Sequence, residues 1–169
     1  MKKFLLVIIL CIQLFCLAAC DPRSYSYEYD ELLDSVVSVE LINYDNPNQK
    51  KFVTWVLDYT SKLLPFELNN MTILETLNND DIDDFLQQLS EARLLHKYYV
   101  FNSPKDICIR LIYTNGDFEV ISCDYAHQTL NNYVGKYNSS GDVVDFVGSF
   151  ESYDDFENLV NDFFVTDLT

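Results

Sequence analysis

The chain has 169 residues, of which 27 are acidic and 11 are lysine or arginine, so its formal net charge is −16 at pH 7. A chain so acidic is repelled by nucleic-acid phosphates and by anionic lipid headgroups, which excludes a nucleic-acid binder and a protein held to membranes by a basic surface. Two histidines and the lack of any Cys-x-x-Cys pair exclude a zinc site of familiar spacing.

The chain opens on Lys2 and Lys3, followed by an apolar run over 4–19. That run is short for a membrane-spanning helix, which needs about 20 apolar residues. The two lysines hold such a segment on the cytoplasmic side, as a signal peptide requires. Leu17-Ala18-Ala19-Cys20 closes the run with two small residues and a cysteine. In this order the segment resembles the lipobox region of bacterial lipoprotein precursors, and the resemblance covers residues 1–20. It implies diacylglyceryl transfer to the sulfur of Cys20, cleavage before Cys20, and a protein anchored by lipid at the extracytoplasmic face of the cell membrane. Two or three acyl chains hold where one does not, at about 0.8 kcal/mol per buried methylene. The alternative is an ordinary secretory signal cut near Ala19, which would leave a free protein. Removal of 1–19 takes two lysines and no acids, so the mature chain would carry −18. The expected organisation is a signal peptide over 1–19, a lipidated cysteine and acidic, tyrosine-rich tether over 20–34, and one domain over 35–169.

In the tether Tyr25, Tyr27 and Tyr29 alternate, either as an aromatic strip for a sugar or a partner, or as a loose edge strand or linker. Val37, Val39 and Leu41 alternate with Ser38 and Glu40, which predicts a half-buried strand. A turn cluster over 45–48 and a second strand over 53–57 follow. Residues 72–77 form a strand or lead into a helix. That helix is capped by Asn79 or Asp80 and shows Ile82, Phe85, Leu86 and Leu89 on one face, with Asp81, Asp83 and Asp84 in its first turn. A short strand covers 98–101.

Strands over 107–114 and 117–123 flank Asn115-Gly116, the strongest short hairpin pattern. A two-residue turn there opposes Leu111 to Val120 and Cys108 to Cys123. It also puts Arg110 and Glu119 on one outward face as diagonal neighbours. Segments 133–137 and 143–147 make a second hairpin around 138–141. A last helix starts at Ser152 with Asp155 three residues on, and carries Phe156, Leu159, Val160, Phe163 and Phe164 as its stripe. Strands and helices without regular alternation predict an α+β fold, an antiparallel sheet with two amphipathic helices packed against it.

No catalytic, metal or cofactor site is predicted. The acidic run 78–84 lacks the central glycine and distal glutamate of a calcium loop, and helix capping explains it. His127 follows Cys123 by four residues, but no local pattern marks a nucleophile and its base, and His96 at a helix end needs no function. Gly116, Gly135, Gly141 and Gly148 form no phosphate-cradling pattern. Besides a structural or accessory subunit of an envelope complex, two function classes remain. The preferred one is a membrane-anchored binding or accessory module for a cationic protein or peptide, with Tyr25, Tyr27, Tyr29, Arg110 and Glu119 as contacts. The other is a small surface hydrolase using carboxylates. Cys20 is the expected lipidation site, and Cys108 with Cys123 a cross-strand pair within disulfide reach.

Overall fold

A computed structural model describes residues 24–45, 65–95, 106–122, 133–150 and 152–165. Residues 1–23, with the lipobox-like segment and Cys20, lie outside the described residues, as do Cys123, His96, His127 and the strands expected over 53–57 and 98–101.

In chain order the elements are β1 (Ser24–Tyr25), α1 (Tyr29–Ser35), β2 (Val36–Tyr44), a 3-10 turn (Leu68–Asn70), β3 (Met71–Thr76), α2 (Asn79–Glu91), β4 (Leu94–Leu95), β5 (Asp106–Tyr113), β6 (Phe118–Ser122), β7 (Tyr133–Tyr137), β8 (Val143–Phe150) and α3 (Tyr153–Phe163). All strand pairs are antiparallel, in the order β1-β4-β8-β7-β6-β5-β2-β3. Among the described residues six strands carry the sheet, and β1 and β4 are two-residue additions at one edge. The fold is α+β.

Both long helices form where their apolar stripes demand. Asn78 stands at the N-cap position of α2, one residue before the expected cap, with no side-chain bond to the helix N–H groups, and its amide donates to Asp81 Oδ2 at 3.3 Å. Asp80 and Asp81 lie in the first turn, where the positive end of the helix dipole favours carboxylates. Ile82, Phe85, Leu86 and Leu89 are buried. At α3, Ser152 Oγ accepts from the Asp154 N–H at 3.1 Å. The helices meet where the Phe85 ring lies edge-on to Phe163, centroids 5.3 Å apart.

The sheet is apolar on both faces. Val39, Leu41, Ile109, Leu111, Ile121 and Val134 pack beneath the helices. Ile42, Tyr44, Cys108, Phe118, Val120 and Tyr137 form the opposite face, closed by Phe66. The Phe66 ring stacks on Tyr44 with centroids 4.1 Å apart, and its N–H donates to the Gly141 carbonyl at 2.7 Å. A Cβ at Gly141 would lie 2.1 Å from the Phe66 carbonyl oxygen, and φ there is +88°, so only glycine fits.

Three expectations need correction. First, the Asn115-Gly116 hairpin has a three-residue loop. Gly116 N–H donates to the Tyr113 carbonyl and Tyr113 N–H to the Asp117 carbonyl, both at 2.9 Å. A two-residue type I′ turn needs positive φ at both central residues. Among the described non-glycine residues only Asp106 has one, so Asn115 does not, while Gly116 takes +85° as the bulge residue. Asn115 Oδ1 instead accepts from the Asp117 N–H at 2.9 Å. The register therefore opposes Leu111 to Glu119 and Cys108 to Ser122. A slip of one residue turns β6 over. Arg110 and Glu119 then lie on opposite faces, both buried, and Cys123 is not the residue opposite Cys108. The second hairpin repeats this loop, with Gly141 N–H donating to the Asn138 carbonyl and Asn138 N–H to that of Asp142.

Second, the tether expected over 20–34 is, from Ser24 onward, part of the domain. Ser24 and Tyr25 pair with Leu95 and Leu94, and Tyr29–Ser35 is helical with Leu32 buried. Tyr25, Tyr27 and Tyr29 pack against the helix-side core. Their two-residue spacing and one buried leucine mimic a linker because the apolar surface is carried by tyrosine rings, whose hydroxyls still need partners. Third, Val37 is not a core residue. A bulge between Val36 and Ser38 leaves it 50% exposed, while Val36 and Val39 point inward.

Candidate functional site: the Glu119 cleft

Glu119 is the second residue of β6, on the helix-side face, and is 4% exposed. Its cross-strand neighbours are Leu111 on β5 and Lys136 on β7, and Lys136 in turn faces Asp145 on β8. A carboxylate in this position costs heavily unless it is hydrogen-bonded. Its partners are tyrosines. The Tyr27 hydroxyl donates to Glu119 Oε2 at 2.7 Å, and the Tyr113 phenol lies beside the same carboxylate. Tyr27 reaches it because β1 pairs with β4 and α1 begins two residues later, which lays 25–28 across the end of the sheet. Tyr113 reaches it from the last position of β5, beside the three-residue loop. The Lys136 ammonium stands over the Tyr113 ring, 4.7 Å from its centroid.

Burial pushes the Glu119 carboxyl above the ordinary carboxylate range, and nearby Asp145 adds to this. The Tyr27 and Tyr113 hydroxyls and the charge of Lys136 pull the other way without winning. Burial, then the charge of Glu119, raises Tyr25, Tyr27 and Tyr113 far above the ordinary phenol value. The three phenols therefore remain protonated, and Tyr27 remains a donor to Glu119.

A cleft of about 420 Å³ opens between this N-terminal arm and the β5–β6 loop. Tyr25, Tyr27, Tyr113 and Glu119 line it, with Glu28 and Glu31 alongside. Among the described residues that line it, Lys136 is the only cation.

Of the residues singled out in the sequence, Tyr25, Tyr27 and Glu119 come together here. Tyr29 packs on the core and does not line the cleft. Arg110 is on the other face, 8% exposed, with Glu40 as its cross-strand neighbour. Its Nε donates to Glu40 Oε2 at 2.9 Å and its Nη2 donates to the same oxygen. Its Nη1 lies 3.1 Å from Met71 Sδ, and the guanidinium sits 5.6 Å from the Phe118 ring centroid. This enclosed pair ties β2 to β5. Cys108 is buried on the same face, its Sγ 3.6 Å from the Asp106 carbonyl. Sequence reasoning missed Tyr113, Lys136, Glu28 and Glu31. A three-residue loop at Asn115-Gly116 would have placed Glu119 and Tyr113 on one face and led to them.

The groups of the cleft can hold a cation against a carboxylate and aromatic faces, and can donate phenolic hydrogen bonds. Comparison with protein-family models, with curated proteins and with solved structures finds no match for this chain.

Proposed function

We propose that this chain is a lipid-anchored extracytoplasmic protein whose domain is a non-catalytic binding module for a cationic partner. The anchor rests on the lipobox-like order of Lys2, Lys3, the apolar run and Leu17-Ala18-Ala19-Cys20. Among the described residues no helix is long and apolar enough to cross a membrane. The binding role rests on one observation, the tyrosine-walled cleft over a buried carboxylate. Tyr27 already donates to that carboxylate. This suits a fixed recognition surface better than a proton shuttle, which must come within hydrogen-bond reach of its substrate. The partner is cationic because carboxylates outnumber lysine in the cleft and acids outnumber bases in the chain.

The position of the cleft fits this reading. Tyr25 and Ser26 line it, and Ser24 stands four residues after Cys20. Four residues reach at most about 14 Å. A lipid on Cys20 would thus hold the domain close to the membrane, with the cleft beside the anchored edge, rather than at the end of a long tether.

The raised Glu119 carboxyl favours one second reading, a small hydrolase with Glu119 as general acid and Glu28 or Glu31 as the second carboxylate. Two measurements test the proposal. Labelled palmitate should enter the wild-type chain in cells and not Cys20→Ser, and equal labelling of both contradicts the anchor. The purified full chain should leave glycoside and ester panels unturned, and turnover abolished by Glu119→Gln would establish the hydrolase instead.

A further inference from the structure

We propose that the Glu119 cleft takes an alkylammonium group, an amine nitrogen on an apolar stem, carried either by a free small amine or by a peptide lysine side chain. The inference rests on the binding-module reading and specifies its ligand chemistry.

The walls select the ligand. Tyr25, Tyr27 and Tyr113 supply aromatic surface, which attracts a cation through the negative face of the ring and an apolar stem through burial. Among the described lining residues, Glu119, Glu28 and Glu31 set three carboxylates against the single ammonium of Lys136. A phosphate or carboxylate ligand would meet all three, and a neutral ligand would leave that charge unanswered. The volume, about 420 Å³, lies in the range of small-molecule sites.

An independent observation shows that the wall accepts this chemistry. Lys136 holds its ammonium 4.7 Å from the Tyr113 centroid, beside Glu119. It is an internal alkylammonium on the aromatic surface that a ligand would use. An entering amine competes with it for the Tyr113 face. Lys136 has Asp145 as its other cross-strand neighbour, so it can turn toward that carboxylate as the ligand enters. The site is thus self-occupied, and removing the lysine should improve it.

The test is a titration of the full chain in detergent, read by tyrosine fluorescence and by calorimetry. The probes are n-butylammonium, its neutral counterpart n-butanol, and N-acetyl-lysine amide. Butylammonium should bind saturably and butanol should not. Lys136→Met should strengthen butylammonium binding severalfold. Glu119→Gln should weaken it about tenfold, as loss of a desolvated charge contact does. Glu31→Gln changes one exposed charge on α1, leaves the core untouched and should weaken binding by a smaller factor. Tighter binding of N-acetyl-lysine amide than of butylammonium marks a peptide lysine as the source, and the reverse marks a free amine. No saturable response in either the wild type or Lys136→Met overturns the inference. So does an equal response to butanol, or weaker binding in Lys136→Met. If such a result came with salt-sensitive retention of a basic envelope protein, the ligand class alone would fall. Chemical turnover of a probe would instead remove the binding-module reading.

Discussion

Two glutamates are buried in the middle of one sheet, and they are satisfied in different ways. Glu40 faces the Phe66 side and meets Arg110 directly across the β2–β5 ladder. Glu119 faces the helix side and accepts from the Tyr27 hydroxyl of the N-terminal arm, beside the Tyr113 phenol of β5. The first pair neutralises its charge with a guanidinium, packed between Met71 and Phe118. The second is held by dipoles, with a lysine nearby, at the floor of a cleft. A charge closed off by its own counter-ion serves the fold. A charge held by neutral donors beside open space can still answer to a ligand.

Breaking the closed pair should have the largest effect. Arg110→Met leaves Glu40 buried without its cation, which costs about 3–5 kcal/mol. Replacing both members, as Arg110→Met with Glu40→Leu, should recover most of that loss, because apolar residues of similar volume substitute well for a buried ion pair. Chemical denaturation of the two variants checks this. A single variant as stable as the wild type would show that the pair is not closed.

Gly141→Ala should come next. It meets the Phe66 carbonyl and a positive φ together, whereas Gly116→Ala meets only the positive φ, with its nearest neighbour 3.7 Å away at Ser139. The φ strain is about 1–2 kcal/mol in each, and Gly141→Ala should exceed Gly116→Ala by the cost of moving Phe66. Phe66 covers the face that holds Arg110, so butylammonium binding at the other face should survive in Gly141→Ala. Equal melting points for the two variants would refute the close contact.

Tyr27→Phe removes the hydroxyl that donates to Glu119 Oε2. The expected loss is about 1 kcal/mol. Its amides over 24–35 should exchange faster with solvent, because the arm loses a tie to the sheet. Unchanged exchange would show that the arm is held without it.

Glu119→Gln should be the mildest substitution for stability, and its sign depends on pH. The folded carboxyl titrates above its unfolded value, so between those two values the folded state binds more protons. The contribution of Glu119 to stability is therefore fully present in acid and lost as pH rises through the folded value. Glutamine imitates the protonated form at every pH. The variant should gain on the wild type as pH rises toward neutrality, by thermal melts across the acid range. A gain in the opposite direction would mean that hydrogen bonding, not burial, dominates at Glu119.

The two long helices are legible in the sequence because their stripes have one period and acidic first turns, as Ile82, Phe85, Leu86 and Leu89 show. The hairpins are legible as pairs of strands because Gly116 and Gly141 mark their loops. The register of the first is not, since Asn-Gly suits both a two-residue and a three-residue loop. Only the φ of Asn115 and its bond to Asp117 decide between them. That one-residue choice moved Glu119 from an outward face to the helix side and separated it from Arg110. The N-terminal arm is illegible for another reason. Its apolar contribution comes from tyrosines that pack only after β1 has found β4, a contact 69 residues away in sequence between Tyr25 and Leu94. The candidate site needs both features, so only Tyr25, Tyr27 and Glu119 could be read in advance.

The most direct measurement is a carbon-13 carboxyl titration of the full chain labelled at glutamate, with the Glu119 resonance identified by its loss in Glu119→Gln. Without ligand, Glu119 should titrate above the ordinary carboxylate range. With saturating butylammonium its midpoint should fall, because an ammonium in the cleft favours the charged carboxylate. A Glu119 that titrates in the ordinary range, or a midpoint that butylammonium leaves in place, would contradict the view that this buried carboxylate is open to a cationic ligand.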